Sequence, residues 1–400
     1  MSRTRDAFLT FVTAHKGTPL VFVNDSSVFT SDRLEEAALL NLREISTDTT
    51  AFPWANRTPW AGAQSIIAIA AALVIGHLSG HPSAGAIAAG AAYTVGFAVF
   101  HEALASALLS MAIVTAGIAS ATLAGSLGAE WTPLVLLLTI IAATNYGLLS
   151  GISATAGWVG QQCGVFVIVA SYFPRGLHYA AGRTGMVLIG GALQMVVYTL
   201  FHLVRHPAVE AVAPPLRQRL QSRISELWCK LRDEVRLRGD TPSYIFRLAL
   251  TLLFCTAIYR YRHIRNGYWV PMTAILVLKP QWTGTVSRSI ARLAGTLFGV
   301  GIALLLALYM PLEQHLIFAL VVVCAWASYA FQAVNYALFS LFVTLYIVFL
   351  FRFGGFSQTS AAHIRLFNTA LGGGLALLID ALWNFLAPRI PFKLRTIETL

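Results

Sequence analysis

Charged residues are scarce in this 400-residue sequence. They make up 11% of the chain, against about 25% in soluble domains, and apolar residues make up 57%, against about 45–50%. Such a chain cannot hide its apolar side chains from water by folding on itself, so lipid must be its main solvent. The net charge of +11 therefore does not indicate a nucleic-acid-binding surface, because most of the chain could never contact a duplex.

The signatures of metal and nucleophilic chemistry are also lacking. The four cysteines are scattered without CxxC spacing, and neither an HExxH motif nor a GxSxG elbow occurs. The sequence therefore supports neither an enzyme nor a metal or cofactor site. A cleavable signal peptide is not expected, because residues 1–57 carry seven acidic and six basic residues without a long apolar core.

Long apolar segments dominate the rest of the chain. Residues 60–204 contain only four charged residues, and a membrane span needs about 20 apolar residues. Division at glycine, proline and charged positions predicts an all-α polytopic membrane protein with about 12 transmembrane helices. The expected domains are a small soluble N-terminal head (1–57), a first six-helix half (58–204), a cytoplasmic amphipathic linker helix (205–245), a second six-helix half (246–388) and a cytoplasmic tail (389–400).

The hydrophilic linker carries eight basic and five acidic residues. Its apolar residues from Leu216 to Val235 recur at three- and four-residue steps, which is typical of an amphipathic helix. This stripe can pack on a symmetry mate, on its own bundle or on anionic lipid, and we favour packing on protein, with a homodimer as the expected assembly. Because Lys and Arg are retained on the cytoplasmic side, both termini are predicted to be cytoplasmic.

Two motifs recur in the same order in the two halves. The first is Asn145-Tyr146 with Asn335-Tyr336, each expected at a junction between apolar segments. The second is Arg183 seven residues before Gly190-Gly191 with Arg365 seven residues before Gly372-Gly373. With six spans in each half, a duplication gives two parallel repeats related by an axis along the membrane normal. The alternative is chance recurrence in a chain with 31 glycines.

Positive charge is concentrated in the second half. Residues 246–387 hold nine basic residues but only two acidic ones, Glu313 and Asp380. Cations without matching carboxylates favour an anion pathway, because they offset the cost of bringing an anion into a low-dielectric region. Arg288 and Arg292 are four residues apart and are expected to share a helix face. Some of the arginines can instead mark interfacial helix ends, where long side chains reach back to water.

Asp380 lies inside the last apolar run, with no basic residue within eight positions. It therefore needs a partner from another helix or must be protonated. The sequence leaves two roles open for it, a proton carrier or a structural ion pair with an arginine such as Arg292.

One segment is more specific than the others. It runs Tyr268-Trp269-Val270-Pro271-Met272-Thr273-Ala274, then Lys279-Pro280, Thr285, Arg288, Arg292 and Gly295-Thr296-Leu297-Phe298-Gly299. This segment resembles the signature of the fusaric acid resistance (FUSC) family of inner-membrane transporters. That family is similar in architecture to bacterial aromatic carboxylic acid efflux proteins and, more distantly, to plant aluminium-activated malate channels. The resemblance extends to Asn335-Tyr336 and to Arg365 with Thr369 and Gly372.

The resemblance implies a proton-driven exporter or channel for organic acids in the bacterial inner membrane. It further implies a kinked, partly unwound helix at Trp269–Pro271 beside the pathway, with Arg288 and Arg292 at the cytoplasmic entrance. The chain departs from the family in its short linker and its longer head.

We therefore expect an efflux transporter for small organic anions such as aromatic carboxylic acids, coupled to protons. The alternatives are a passive organic-anion channel and a membrane scaffold that recruits partners through its head and linker. Asp380 is the expected proton-coupling residue and Pro271 the expected helix break. The expected substrate-binding residues are Arg288, Arg292, Arg365, Lys279, Trp269, Asn335 and Tyr336.

Overall fold

In a computed structural model, the described residues are 43–47, 49–101, 106–173, 176–205, 241–309, 313–353 and 358–386, and no β-strand occurs among them. Most of the predicted head, nearly all of the linker and the whole tail lie outside these ranges. The predictions for the linker helix and for the tail therefore concern residues that are not described.

From Pro59 onward, twelve α-helices follow one another in the described ranges. They are α1 Pro59–Leu78, α2 Pro82–Gly96, α3 Ala107–Gly128, α4 Thr132–Ile152, α5 Ala154–Ala170, α6 Gly176–Arg205, α7 Thr241–Tyr261, α8 Trp269–Val277, α9 Trp282–Tyr309, α10 Gln314–Phe331, α11 Tyr336–Phe353 and α12 Gln358–Leu386. Short 3₁₀ helices cover Trp54–Asn56 and Phe97–Phe100.

Nine of these helices, in the part of the chain that is described, are long and apolar enough to cross a membrane. Helices α5 and α11 are apolar but shorter, and α8 has only nine residues. At 1.5 Å per residue, α8 covers only about 14 Å, less than half the hydrocarbon thickness of a bilayer. The chain is thus an all-α, multi-pass membrane protein with about nine candidate transmembrane helices.

Local sequence explains where several helices begin. Pro59 and Pro82 occupy the first position of α1 and α2, where the missing N–H group costs no helical hydrogen bond. The Ser106 hydroxyl accepts a hydrogen bond from the Leu109 N–H at 3.3 Å, and the Ser153 hydroxyl accepts one from the Ala156 N–H at 3.1 Å. These N-caps satisfy N–H groups that have no partner within the helix.

The helices of each half pack in the same pairwise order. In residues 59–205, α2 packs on α1 and α6, α3 packs on α5 and α6, and α4 packs on α5. In residues 241–386, α8 packs on α7 and α12, α9 packs on α11 and α12, and α10 packs on α11. The halves meet where α1 packs on α10 and where α4 packs on α7.

Glycines allow two equivalent close approaches in the halves. Gly190 on α6 lies against the main-chain carbonyl of Ala88 on α2, and Gly372 on α12 lies against the carbonyl of Val270 on α8. A Cβ atom at either glycine would overlap that carbonyl oxygen. In each half, the last helix can therefore pack this closely on the second helix only because the contact residue is a glycine.

The Asn-Tyr motif does not occupy equivalent positions in the two halves. Asn145 and Tyr146 lie within α4, seven and six residues before it ends, whereas Asn335 directly precedes α11. Apolar sequence continues on both sides of Asn145, so its expected location at a junction between segments is wrong. The residue that caps the helix equivalent to α11 in the first half is Ser153, which precedes α5.

Candidate anion-binding site

Arg365 is buried in the middle of the second half. It projects from α12, is 2% exposed, and its guanidinium carbon lies 4.1 Å from the centroid of the Trp269 ring. Its Nε atom donates a long hydrogen bond of 3.5 Å to the Thr344 hydroxyl on α11. Its Nη1 and Nη2 atoms are buried and have no hydrogen-bond partner. The ring orients the guanidinium while its outer N–H donors stay unused.

Arg292 on α9 is buried as deeply, also at 2% exposure. Its Nε atom is buried without a hydrogen-bond partner, and its main-chain carbonyl accepts a hydrogen bond from the Ser340 hydroxyl at 3.3 Å. Helices α9 and α12 pack on each other, and the two arginines contact α11 one helical turn apart, at Ser340 and Thr344. Within the described ranges, neither is in an ion pair with an aspartate or glutamate. Together they form a buried pair of like charges.

Arg288 does not share the burial of Arg292, although the two are four residues apart on α9. Arg288 is exposed, and its guanidinium carbon lies 4.2 Å from the centroid of the half-buried Tyr336 ring. It is one turn, or about 6 Å, nearer the beginning of the helix. The structure therefore separates one peripheral cation on an aromatic ring from the buried pair.

Lys279 lies in the connection 278–281, outside the candidate spans, and is half-buried. Its Nζ atom is 3.4 Å from the hydroxyl of Tyr146, and its main-chain N–H donates to the Thr285 hydroxyl at 3.1 Å. Burial lowers the pKa of Lys279 to about 7, and the nearby charge of Arg288 acts in the same direction. Tyr146 belongs to α4, so this contact joins the two halves.

The carbonyl groups at the end of α8 are bonded by side chains from neighbouring helices. The Gln161 amide on α5 donates to the Ile275 carbonyl at 2.9 Å, and the Tyr244 hydroxyl on α7 donates to the Leu278 carbonyl at 3.3 Å. The last carbonyls of a helix lack partners within the helix, and irregular backbone at membrane depth is stable only when protein or water satisfies it. These side chains thus hold a short, interrupted helix inside the bundle.

Asp380 is fully buried on α12 and forms an ion pair with Arg247 on α7. The Arg247 Nη2 atom also donates to the Pro280 carbonyl at 2.7 Å, just after α8. The Asp380 Oδ2 atom has no hydrogen-bond partner. An ion pair with an arginine was one of the two expected roles of Asp380, but its partner is Arg247 and not the suggested Arg292.

Pro271 is buried in the first turn of α8, as the third residue of the helix. Proline is tolerated in a first turn, where the N–H groups have no helical partner. The chain is non-helical before α8 at 262–268 and after it at 278–281. The structure thus places the interruptions on either side of α8, and it does not place a kink at Pro271.

Asn335 makes main-chain contacts with both polar atoms of its side chain. Its Nδ2 atom donates to the carbonyls of Thr49 and Ala51 at 3.0 Å, and its Oδ1 atom accepts from the Ala337 N–H at 2.8 Å. Asn335 therefore caps α11 and fastens the segment that precedes α1 to it. Tyr336, the next residue, carries Arg288 on its ring.

Several residues of this region were not singled out from the sequence. The sequence shows Arg247 as a charged residue near the beginning of an apolar helix, but its pairing with Asp380 could be seen only in the structure. Gln161 and Tyr244 carry no sequence signal of their own, and Tyr146 was noted only as part of the Asn145-Tyr146 motif. The roles of all three depend on the carbonyls and the lysine that the fold brings to them. Among the described residues, no cluster of His, Cys, Asp or Glu could hold a metal ion.

Comparison with known proteins finds one family model and several relatives that match part of the chain. Residues 253–379 match the family described as fusaric acid resistance protein-like. A Haemophilus influenzae protein described as uncharacterized is 30% identical over 138 residues, which are 34% of this chain and 19% of that protein. The Escherichia coli inner membrane protein YccS is 29% identical over 154 residues, which are 38% of this chain and 21% of that protein.

The matched region is thus about a fifth of the length of either relative. No solved structure matches the chain. The family region runs from α7 to α12 and contains Trp269, Arg292, Arg365 and the connection that follows α8. Residues 253–379 of this multi-pass membrane protein are thus similar to the fusaric acid resistance protein-like family.

Proposed function

We propose that the protein exports small organic anions such as aromatic carboxylic acids across the inner membrane, and that Arg292 and Arg365 bind the carboxylate. The observation that carries this proposal is the burial of two guanidinium groups whose Nε or Nη atoms lack hydrogen-bond partners. An unpaired buried charge costs several kcal/mol, and a carboxylate offers guanidinium the acceptor geometry that it pairs with best. Family membership of residues 253–379 supports transport.

The peripheral residues then form an entrance to the buried pair. Lys279, Arg288 and Tyr336 lie around the beginning of α9, and Arg292 lies further along the same helix. A cation at the entrance raises the local concentration of anions before they reach the interior. Trp269 supplies an aromatic face beside Arg365 on which a planar acid can pack. Asn335 acts indirectly in this scheme, by holding the beginning of α11 and therefore Tyr336.

Coupling to protons is assigned to Asp380. Its carboxylate neutralises Arg247 inside the bundle, and one of its oxygens has no hydrogen-bond partner. Protonation of Asp380 would release Arg247 from the pair, and Arg247 also holds the Pro280 carbonyl beside Lys279. A proton taken up at Asp380 would in this way alter the connection that borders the entrance.

The proposed architecture is two parallel six-helix repeats with all twelve helices in the membrane. A constant spacing of 182 residues supports it, because this spacing relates Ser153 to Asn335 and Arg183 to Arg365. The same spacing relates the contact of Gly190 with Ala88 to that of Gly372 with Val270. An even number of spans in each half puts both termini on the same side of the membrane, and we propose that this is the cytoplasmic side, where Lys and Arg are retained. We also propose a homodimer as the assembly.

The test is transport of radiolabelled benzoate by purified protein in proteoliposomes. Arg365→Gln and Arg292→Gln should each abolish protein-dependent benzoate flux, because one unpaired charge and its N–H donors are lost. Arg352→Gln, which changes an exposed arginine at the end of α11, is the matched control and should retain flux. Retention of flux in both buried variants would refute the proposal.

The same vesicles distinguish a coupled exporter from a passive channel. An exporter should respond to an imposed pH gradient, and Asp380→Asn should remove that response. A channel should instead carry benzoate current under an imposed voltage, with or without Asp380.

A further inference from the structure

The donors around the two buried arginines exceed the acceptors that the described residues supply. Arg292 Nε, Arg365 Nη1 and Arg365 Nη2 are all buried without a partner. The hydroxyl of Thr296, one helical turn beyond Arg292 on α9, is also buried and unpartnered. Buried N–H groups in folded proteins are almost always hydrogen-bonded, so a group of unused donors calls for an acceptor.

The net charge of this region points in the same direction. Arg292 and Arg365 project from two helices that pack on each other, and both contact the Ser340–Thr344 turn of α11. Because no carboxylate among the described residues is ion-paired with them, they leave two positive charges in a low-dielectric interior. The Trp269 ring and the Thr344 hydroxyl contact the Arg365 guanidinium, and both are uncharged. Neither can neutralise a cation, and an arginine cannot relieve the cost by losing its proton.

We propose that Arg292 and Arg365 hold one small inorganic anion, of which chloride is the most abundant candidate, whenever no organic anion occupies the site. The inference takes the location of the site from the proposed function and adds a second class of ligand. Inorganic and organic anions would use the same N–H donors, so their binding excludes each other. Export would then proceed by replacement of one anion by another, and the arginine pair would never be left without a counter-ion.

A halide and a carboxylate differ in what they require from this site. A halide accepts N–H bonds from any direction and needs only charge and donors, which the two arginines provide. A carboxylate in addition uses the planar fork of guanidinium, and an aromatic acid places its ring against apolar surface. Chloride should therefore bind more weakly than benzoate and depend on the arginines alone, whereas benzoate should also depend on Trp269.

The experiment measures the thermal unfolding of the purified full-length protein in detergent. Sodium chloride is titrated against the sodium salt of the bulky sulfonate buffer HEPES at constant ionic strength, so that general screening stays the same and no second carboxylate competes for the site. In the wild type, chloride should raise the apparent melting temperature along a saturable curve, because a ligand that binds only the folded state stabilises it. Arg292→Gln and Arg365→Gln should weaken chloride binding, so that the half-saturating chloride concentration rises by about tenfold or more. Arg352→Gln should respond to chloride as the wild type does.

Competition distinguishes failure of this inference from failure of the proposed function. Benzoate binding is measured in the same buffers, and chloride should raise the apparent dissociation constant of benzoate linearly with chloride concentration, by a factor of one plus the ratio of that concentration to the dissociation constant of chloride. If benzoate binds but chloride neither stabilises the protein nor competes, this inference is overturned and the organic-anion site stands. If chloride binds but the arginine variants keep its full effect, the halide lies elsewhere and the inference is also overturned.

Discussion

The ion pair between Arg247 and Asp380 offers the sharpest test of how this bundle is held together. The Arg247 side chain is 6% exposed and the Asp380 side chain 0% exposed, and the pair joins α7 to α12. Arg247 also donates to the Pro280 carbonyl at 2.7 Å, so the pair fixes the connection after α8 as well. The perturbation is a double-mutant cycle of Arg247→Gln, Asp380→Asn and the two changes combined.

The two single changes should differ in cost. Asp380→Asn leaves a buried arginine that cannot lose its charge, and breaking a buried pair in this way costs about 3–5 kcal/mol. Arg247→Gln leaves a carboxylate that can be neutralised by taking up a proton, so its cost should be smaller. In the combined variant no buried charge is left unpaired. We therefore expect a coupling energy of roughly 2–3 kcal/mol in favour of the double variant.

Thermal unfolding in detergent, at one scan rate for all variants, measures these differences. At about 2 °C per kcal/mol, Asp380→Asn should lower the apparent midpoint by roughly 6–10 °C. The combined variant should recover part of that loss, and Arg352→Gln should change it little. If the two single-variant shifts in midpoint are additive, with no recovery in the combined variant, the conclusion that Arg247 and Asp380 neutralise each other is refuted.

Three further changes test other parts of the structure. Asn335→Ala should destabilise the protein by about 2 kcal/mol, because a helix cap and two hydrogen bonds are lost, and should speed proteolysis before α1. Asn335→Asp keeps the cap and should therefore destabilise the protein less in thermal unfolding. Trp269→Leu should weaken benzoate binding by roughly tenfold, because about 1–1.5 kcal/mol of aromatic packing against the acid is lost, while Trp269→Phe, which keeps an aromatic face, should restore part of the affinity in a binding assay. Gly299→Ala should lower the stability by about 1–3 kcal/mol in thermal unfolding, because its Cβ would lie 2.9 Å from the Leu341 carbonyl. Gly301→Ala, on the same helix, places its Cβ in open space and should be neutral or stabilising. Equal effects of the two glycine changes, or no effect of either Asn335 change, would contradict the packing described.

The helices could largely be predicted from the sequence because the signal is local. Apolar runs bounded by Gly, Pro or charged residues give the approximate extent of each helix, and prolines such as Pro59 and Pro82 mark where two of them begin. The close helix approach at Gly295 and Gly299 also follows from their four-residue spacing, and both lie against α11. The length of α8 could be read from the short apolar run between Gly267 and Lys279.

The site was only partly predictable, because it depends on which helices meet. A sequence shows that Asp380 needs a partner, but not that α12 packs against α7 and so brings Arg247 to it. Four-residue spacing placed Arg288 and Arg292 on one face, yet depth along the helix gives them different surroundings. Asn335 looked like a polar residue at a junction, and only the position of residues 49–51 shows that its amide is occupied by main chain.

The central claim is that the buried arginine pair recognises negative charge. Its most direct measurement is equilibrium binding of radiolabelled benzoate to the purified protein, with unlabelled benzamide as a neutral competitor of the same shape. The wild type should bind benzoate, and benzamide should not displace it. The Arg292→Gln/Arg365→Gln double variant should bind no benzoate. Benzoate binding of wild-type strength in that variant, or displacement by benzamide as effective as by benzoate, would contradict the central claim.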